Sequence, residues 1–334
     1  MNHALIEILS DGKFHSGEEM GACLGISRAA IWKQLQKLEA MNIPLHSVKG
    51  RGYRLPEAVE LLNLEILKQH DFPVHEFSQT QLALSLDSTN NAMMKVAEGN
   101  VTARHICLAE MQTSGRGRRG RQWLSPFARN LYFSVLWPFS QGIAAMQGLS
   151  LAVGLSIHQS LQSLGVRGAG LKWPNDLLAN KGVATSGQVS DAKLGGILIE
   201  LTGDVTDACQ VVIGVGLNLD LQVKDLAHID QAATGVKQLG CDVGRNAITA
   251  KVVADLCEAL HRFSEHGFAP LMNEWNQADM FAGREVRLIL PSSEIAGTCA
   301  GVNEKGELML KTSSGMQAFN AGEVSLRLQG NHWP

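Results

Sequence analysis

The spacing of apolar and polar positions divides the chain into three stretches. At the N-terminus apolar residues recur at helical spacing. This predicts a short helix from about Asn2 to Leu9, a second from Ser16 to about Cys23, and a third from Ser27 to about Ala40. Ser16 with Glu19 three residues on makes a capping box, Gly25 is free to take a positive φ at the turn, and Ser27 caps the third helix. In that helix Ile31, Leu35 and Leu38 share the inward face. After Pro44, L-H-S-V, K-G-R-G and Y-R-L read as a β-hairpin with Lys49 and Arg51 at its tip.

Pro56 to about Glu65 reads as a linker. Beyond it helical and strand patterns intermingle. Leu149 to Leu164 is a strongly apolar helix closed by Gly165, and Asn246 to Phe263 puts Ile248, Val252, Leu256, Leu260 and Phe263 on one face before Gly267. Ile106 to Ala109, Leu131 to Leu136, Gly196 to Leu201 and Val211 to Val215 read as strands. The tail from about Met272 carries short strands at Val286 to Leu290, Ala296 to Val302, Glu307 to Lys311 and Val324 to Leu328, with a glycine turn at Asn303-Glu304-Lys305-Gly306. The expected class is α+β: a winged helix-turn-helix over residues 1–60, a mixed α/β unit over 65–270 and a small β unit over 272–334.

Composition narrows the function. With 45% apolar and 18% charged residues the chain is globular, and no apolar run is long enough to span a bilayer. The N-terminus has no cationic start and carries Glu7 in its apolar stretch, unlike a signal peptide. The six cysteines are scattered without metal spacing, as small buried residues in a reducing compartment are. Net charge is −3, yet Ile26 to Arg54 holds six cations and one anion, a local +5 that leaves −8 elsewhere. That is the electrostatic footprint of a DNA-binding module. Arg28, Ala29, Trp32, Lys33 and Gln36 share the helix face that would enter the major groove, and Lys49 and Arg51 the wing tip.

Candidate chemistry lies in the middle stretch. Gly115 to Arg121, G-R-G-R-R-G-R, satisfies G-x-G-x-x-G by coincidence, because neither a helix nor an acidic residue about twenty positions on follows. No G-x-x-x-x-G-K-[ST] exists either. What remains is a flexible loop of guanidinium and N–H donors suited to phosphate or carboxylate, with a solvated basic loop or a second nucleic-acid contact as the alternatives. In L-K-W-P-N-D-L, Pro174 places Lys172, Asn175 and Asp176 at a strand end, where Asp176 could hold a magnesium ion or cap a turn. In A-K-L-G-G-I-L-I-E, Lys193 stands at the mouth of a strand beside Gly195 and Gly196, placed for an anion or snorkelling at a sheet edge.

D-S-T-N at Asp87 to Asn90, G-R-G-R-R-G, K-W-P-N-D, K-L-G-G-I-L-I-E and G-V-G-L-N at Gly214 to Asn218 occur in this order. Together they resemble the biotin–protein ligases. With the winged helix in front, the resemblance is to the bacterial bifunctional form, both ligase and biotin operon repressor, and it covers almost the whole chain. It implies a carbon–nitrogen bond-forming ligase in which biotin and MgATP give biotinyl-5′-AMP, and biotin then passes to a lysine of the biotin carboxyl carrier protein of acetyl-CoA carboxylase. It further implies a cytoplasmic protein without membrane contact that, as an adenylate-bound homodimer, binds operator DNA. By resemblance, Ser88, Thr89, Asn90 and Gln112 hold the ureido ring and chain of biotin. Arg116, Gly117 and Arg118 belong to the loop that folds over the ligand, Lys193 meets the carboxylate and then the phosphate, and Asn175 and Asp176 serve the nucleotide and magnesium. Arg116, Arg118, Asp176 and Lys193 form the catalytic set. The central unit takes the biotin/lipoyl ligase fold and the tail an SH3-like barrel, with Gly322-Glu323 near the nucleotide.

Two departures from the family stand out. Asn180 to Asp191 is longer than its counterpart and reads as a polar surface loop, and Asp220 to Gln231 lacks the aromatic residue that can cover adenine. The alternatives are a biotin-sensing repressor whose ligase activity has lapsed, and a lipoyl ligase.

Overall fold

The structure is a computed structural model that describes residues 3–99, 101–183, 189–203, 208–227, 229, 231–322 and 324–329. The first helix, α1, spans His3–Leu9, with Asn2 outside the described residues, and α2 spans Gly17–Leu24. At the start of α2 the Glu19 N–H donates to Ser16 Oγ at 3.1 Å and the Ser16 N–H donates to Glu19 Oε2 at 2.9 Å. Gly25 takes φ 66°, and Ser27 caps α3 (Arg28–Ala40). Strands β1 (His46–Val48) and β2 (Gly52–Arg54) form the antiparallel wing. Ile31, Leu35 and Leu38 pack with Leu5, Ile6, Leu9 and Met20, and this core continues into Leu84, Met111 and Phe127 of the next unit.

The segment read as a linker is strapped down at both ends rather than free. The Val59 N–H donates to Ser10 O at 2.8 Å, on the DNA-binding side. On the other side Glu60 accepts the Arg245 and Asn246 N–H groups at 2.6 and 2.9 Å. After it come α4 (Leu64–Gln69), β3 (Gln79–Ala83), α5 (Thr89–Ala97), β4 (His105–Ala109), β5 (Leu131–Phe139), α6 (Leu149–Ser163), β6 (Ala169–Lys172), β7 (Asp176–Val183), β8 (Val189–Gly203), β9 (Cys209–Leu217), α7 (Val223–Leu226), α8 (Arg245–His266) and α9 (Met272–Ala278). The seven strands form one sheet in the order β3-β4-β5-β9-β8-β7-β6, antiparallel except for β3 with β4.

Period-two alternation decides which helix covers which face. Cys107, Leu136 and Val212 pack with Met93 and Ala97 of α5. Their neighbours Ile106, Leu108, Val135, Trp137, Val211 and Ile213 join the main core with α6 and α8. A sheet covered on both faces explains why β5 reads as an unbroken apolar run. The stretch from Asn180 to Asp191 is no simple loop: Asn180 pairs with Asp191 and Val183 with Val189, so β7 and β8 continue through it, with 184–188 outside the described residues. Lys193 consequently lies inside β8, four residues from its start, and not at the strand mouth.

Strands β10 (Glu285–Ile289), β11 (Glu294–Val302), β12 (Leu308–Thr312), β13 (Gly315–Phe319) and β14 (Ser325–Leu328) make a second antiparallel sheet, ordered β13-β12-β11-β10-β14. This is the small C-terminal β unit, and its two outer strands do not pair with each other. Its Gly306, at φ 75°, docks on the start of α6; a Cβ there would meet Gly148 Cα at 2.9 Å. The buried Trp173 indole N–H donates to the Gly306 carbonyl at 3.1 Å, which joins this sheet to the turn that carries K-W-P-N-D.

Candidate active site

Ser88 is the N-cap of α5, but its hydroxyl makes no capping bond. It and the first helical residues Thr89 and Asn90 are buried where α5 begins beside the sheet. The Thr89 N–H donates to Gln112 Oε1 at 2.8 Å, and Gln112 Nε2 donates to Ser125 Oγ at 3.0 Å. Ser134 Oγ lies 2.6 Å from Asn90 Oδ1 and 2.7 Å from Thr89 Oγ1. Asn90 Nδ2 donates to Glu200 Oε2 at 2.9 Å. Gly214 makes this end fit: a Cβ there would sit 1.8 Å from Asn90 Oδ1. Thr89, Asn90, Gln112 and Ser134 are thus held by one another before a ligand arrives.

The arginine loop folds back on itself. The Gly117 N–H donates to Arg121 O at 2.7 Å and the Trp123 N–H to Gly115 O at 2.8 Å. Gly115 cannot carry a side chain, because a Cβ would meet Trp123 O at 2.3 Å. Arg116 Nη2 reaches Glu200 Oε2 at 2.7 Å, which closes the loop on the end of the cleft that holds Asn90. Half-buried Arg118 donates to Asn175 Oδ1 at 3.2 Å, to Ala321 O at 2.9 Å and to Gly322 O. Burial, with Arg119 and Arg121 nearby and Asp176 opposing, holds its pKa below the usual arginine value.

Across the cleft stands a carboxylate between two ammonium groups. Lys172 and Asp176 end one strand and begin the next, in register. One residue of β8 is bulged out opposite Leu177 and Leu178, which turns Lys193 toward the same spot. Lys193 Nζ is 2.7 Å from Asp176 Oδ1 and Lys172 Nζ 3.3 Å from Asp176 Oδ2. Burial raises the Asp176 pKa, but the charges of Lys193 and then Lys172 outweigh it and bring it down to about 2. Lys172 is lowered, by burial first and then by Lys193, against the pull of Asp176. The Trp123 ring covers Gly216 and Gly196 and lies 5.5 Å from Lys193 Nζ, while its own N–H is buried without a partner.

Comparison with known proteins fits this geometry. Residues 82–218 match the biotin/lipoate A/B protein ligase family, residues 2–54 an HTH domain and residues 281–327 the biotin protein ligase C-terminal domain. The chain is 39% identical to the bifunctional ligase/repressor BirA of Escherichia coli (strain K12), over 97% of this chain and 96% of that one. It is 25% identical to the bifunctional ligase/repressor BirA of Bacillus subtilis (strain 168), over 96% and 97% of the two chains. The chain belongs to the bifunctional biotin ligase/repressor family. Among solved structures it is similar to the biotin protein ligase from Aquifex aeolicus in complex with biotin and ATP, at TM-score 0.61 and 29% identity over 76% of this chain and all of that one. It is a ligase with an HTH domain at its N-terminus.

Within this ligase one cleft brings together Ser88, Thr89, Asn90, Gln112, Arg116, Gly117, Arg118, Asn175, Asp176 and Lys193. Gly322 lies against Arg118, and Glu323 is outside the described residues. Asp176, expected as a magnesium ligand, lies in the same cleft. Both its oxygens are engaged by ammonium groups, and no group of three or more His, Cys, Asp or Glu suited to a metal occurs among the described residues. Asp176 stands between the two ammonium groups and bonds both. Sequence reasoning passed over Trp123, Ser134, Glu200 and Arg327, all of which touch the cleft or its network. Two signals existed: R-Q-W-L directly after the glycine–arginine loop for Trp123, and the end of K-L-G-G-I-L-I-E for Glu200.

On the N-terminal module Arg28, Ala29, Trp32, Lys33, Gln36, Lys49 and Arg51 are all exposed, Trp32 by 54%. Arg28 makes a solvated pair with Glu18 at 3.3 Å, and Arg51 lies over the Phe14 ring at 4.5 Å. Among the described residues no helix is long and apolar enough to cross a membrane.

Proposed function

We propose that this cleft activates biotin with ATP and hands it to a carrier-protein lysine. An oxygen of the biotin carboxylate attacks the α-phosphorus of ATP, which arrives with its magnesium, and pyrophosphate leaves. The amine of the carrier lysine then attacks the acyl carbon, AMP leaves with the bonding pair, and the amine loses its proton. Ser88, Thr89, Asn90 and Gln112 bind the ureido ring and fix the chain's direction. Lys193, held by Asp176, meets the carboxylate and then the phosphate, neutralising charge that builds on the phosphoryl oxygens. Arg116 and Arg118 close the loop over the adenylate, with Asn175 orienting Arg118 on the nucleotide side, and exclude water that would hydrolyse the mixed anhydride. The observation that carries this reading is the meeting of the ureido-type network, the arginine loop and the Lys172–Asp176–Lys193 cluster in one cleft.

The acceptor is the biotin carboxyl carrier protein of acetyl-CoA carboxylase, and the chain works in the cytoplasm. Adenylate binding favours a homodimer, which sets two winged helices on a palindromic operator. Arg28, Ala29, Trp32, Lys33 and Gln36 then face the major groove, with Lys49 and Arg51 on the flanking backbone. The test mixes the protein with biotin and MgATP and follows pyrophosphate. Release with biotin but not with lipoate, abolished in Lys193→Met, supports the reading. No release, or equal release with lipoate, overturns it.

A further inference from the structure

Arg129 is neither in the cleft nor on the DNA-binding face, yet it stands between them. Its side chain is 8% exposed and contacts two carboxylates from distant segments. One is Glu57, in the strap after the wing, and the other is Asp220, whose Oδ2 lies 3.1 Å away just beyond β9. The adjacent Asn130 repeats the pattern. Its Oδ1 accepts the Leu219 and Asp220 N–H groups at 2.9 and 3.2 Å, while its carbonyl accepts Arg245 Nε at 3.0 Å. Arg245 in turn donates to Glu60 O of the strap at 3.2 Å.

Each side leads on. From Asp220, Lys237 Nζ lies 3.2 Å from the same Oδ2, and the Lys237 N–H donates to Leu219 O at 2.9 Å. Three residues earlier the Thr234 N–H donates to Lys193 O at 3.0 Å, and the Lys193 N–H donates to Ala232 O at 2.8 Å. Gln231 and Ala232 line the cleft. From Glu57, the strap leads back into the DNA-binding module: Arg54 donates to Pro56 O at 3.3 Å, and Gly12 packs so closely that a Cβ would meet Ala58 N at 2.5 Å. An unbroken run of hydrogen bonds and peptide links therefore joins the winged helix to the backbone of Lys193.

We propose that Arg129 is a positioning residue that couples the DNA-binding module to ligand retention. A buried guanidinium held by two acids depends on both, because losing one leaves a poorly compensated charge. Seating the module fixes Glu57, which fixes Arg129, which seats Asp220 and the segments flanking Lys193. By reciprocity, a ligand that orders those segments fixes the posture of the module. The proposal rests on the reading that the adenylate sits against Lys193.

The experiment uses the full chain carrying adenylate made from labelled biotin and ATP, and measures its release into excess unlabelled biotin. Glu57 is 40% exposed and lines no part of the cleft, so Glu57→Gln is a mild and remote change. Release is expected to speed up on the order of 5-fold or more in Glu57→Gln. Asp220→Asn should do the same, the double variant should be no faster than the faster single one, and Arg129→Lys should recover part of what Arg129→Met loses. Wild-type release from a folded Glu57→Gln protein, or single effects that multiply, overturns the proposal. If the wild type makes no adenylate, the reading of the cleft has failed, and the relay is then read by hydrogen exchange. Faster exchange at the Leu219 and Asp220 amides in Glu57→Gln supports it, and unchanged exchange overturns it.

Discussion

With Arg118 as the proposed latch of the arginine loop, the strength of that latch can be worked out. The guanidinium makes three hydrogen bonds, one to Asn175 Oδ1 and two to the carbonyls of Ala321 and Gly322 in the C-terminal unit. An exchange of such a bond for water costs about 1 kcal/mol net, so the set holds the loop shut by about 3 kcal/mol. At about 1.4 kcal/mol per tenfold, its loss should speed adenylate release on the order of 100-fold. Arg118→Met keeps much of the apolar stem and removes all three bonds. Arg118→Gly removes them too and adds backbone freedom in the open loop, worth up to about 1 kcal/mol, hence roughly fivefold more. Both variants should still form the adenylate, since Lys193 and Asp176 are untouched. The assay is a chase of preformed labelled adenylate, with formation followed separately by pyrophosphate. If Arg118→Met retains adenylate within threefold of wild type while Arg118→Gly does not, chain flexibility and not the guanidinium is the latch, and this reasoning fails.

Four further outcomes follow from single sites. The buried Asp279 carboxyl is pushed up to about 6 by burial, against donation from the Phe281 N–H and Cys299. A raised carboxyl stabilises the fold fully below its unfolded value near 3.8 and loses that contribution as pH rises through 6. Asp279→Asn should therefore be more stable than wild type at pH 8, by up to about 3 kcal/mol, with the gain shrinking toward pH 4 in urea titrations. Gly214→Ala would press on Asn90 Oδ1, so biotin affinity measured by calorimetry should fall at least about tenfold while the melting temperature moves little. Lys49→Ala should weaken binding uniformly across DNA sequences and reduce the salt slope by about one, whereas Trp32→Ala should change sequence preference more than salt slope.

The parts of the fold that announce themselves are those whose reason is local. Ile31, Leu35 and Leu38 lie one helical turn apart and are buried; Ser16 and Glu19 cap each other within four residues. Strands β3 and β13 escaped notice because QTQLA and GMQAF are edge strands with polar, half-exposed positions. The same split runs through the cleft. Its glycines, arginines and lysines are visible as motifs, but the motif K-W-P-N-D cannot say that a bulge in β8 will deliver Lys193 to Asp176. That pairing, a carboxylate between two ammonium groups, exists only once strand register is set. The roles of Glu200, at the end of K-L-G-G-I-L-I-E, and of Ser134 were hidden for the same reason, since each acts through a partner more than forty residues away.

The cleft lies between the central sheet and the C-terminal unit, and arginines make the joints of the chain. Arg116 ties the loop to Glu200 of the central sheet, Arg118 ties it to the C-terminal carbonyls, and Arg129 ties the strap to the segment beyond β9. Burial disfavours the charge on Arg118, and Arg119 and Arg121 repel it while Asp176 attracts it, so the closed loop without an anion carries a repulsion that is only partly offset. A ligand that brings a phosphate removes that repulsion, whereas biotin alone, bound at the ureido end, leaves it largely in place. Closure should therefore be driven by the adenylate more than by biotin. A repressor-ligase needs this ordering, because it must distinguish activated biotin waiting for a carrier from biotin merely present.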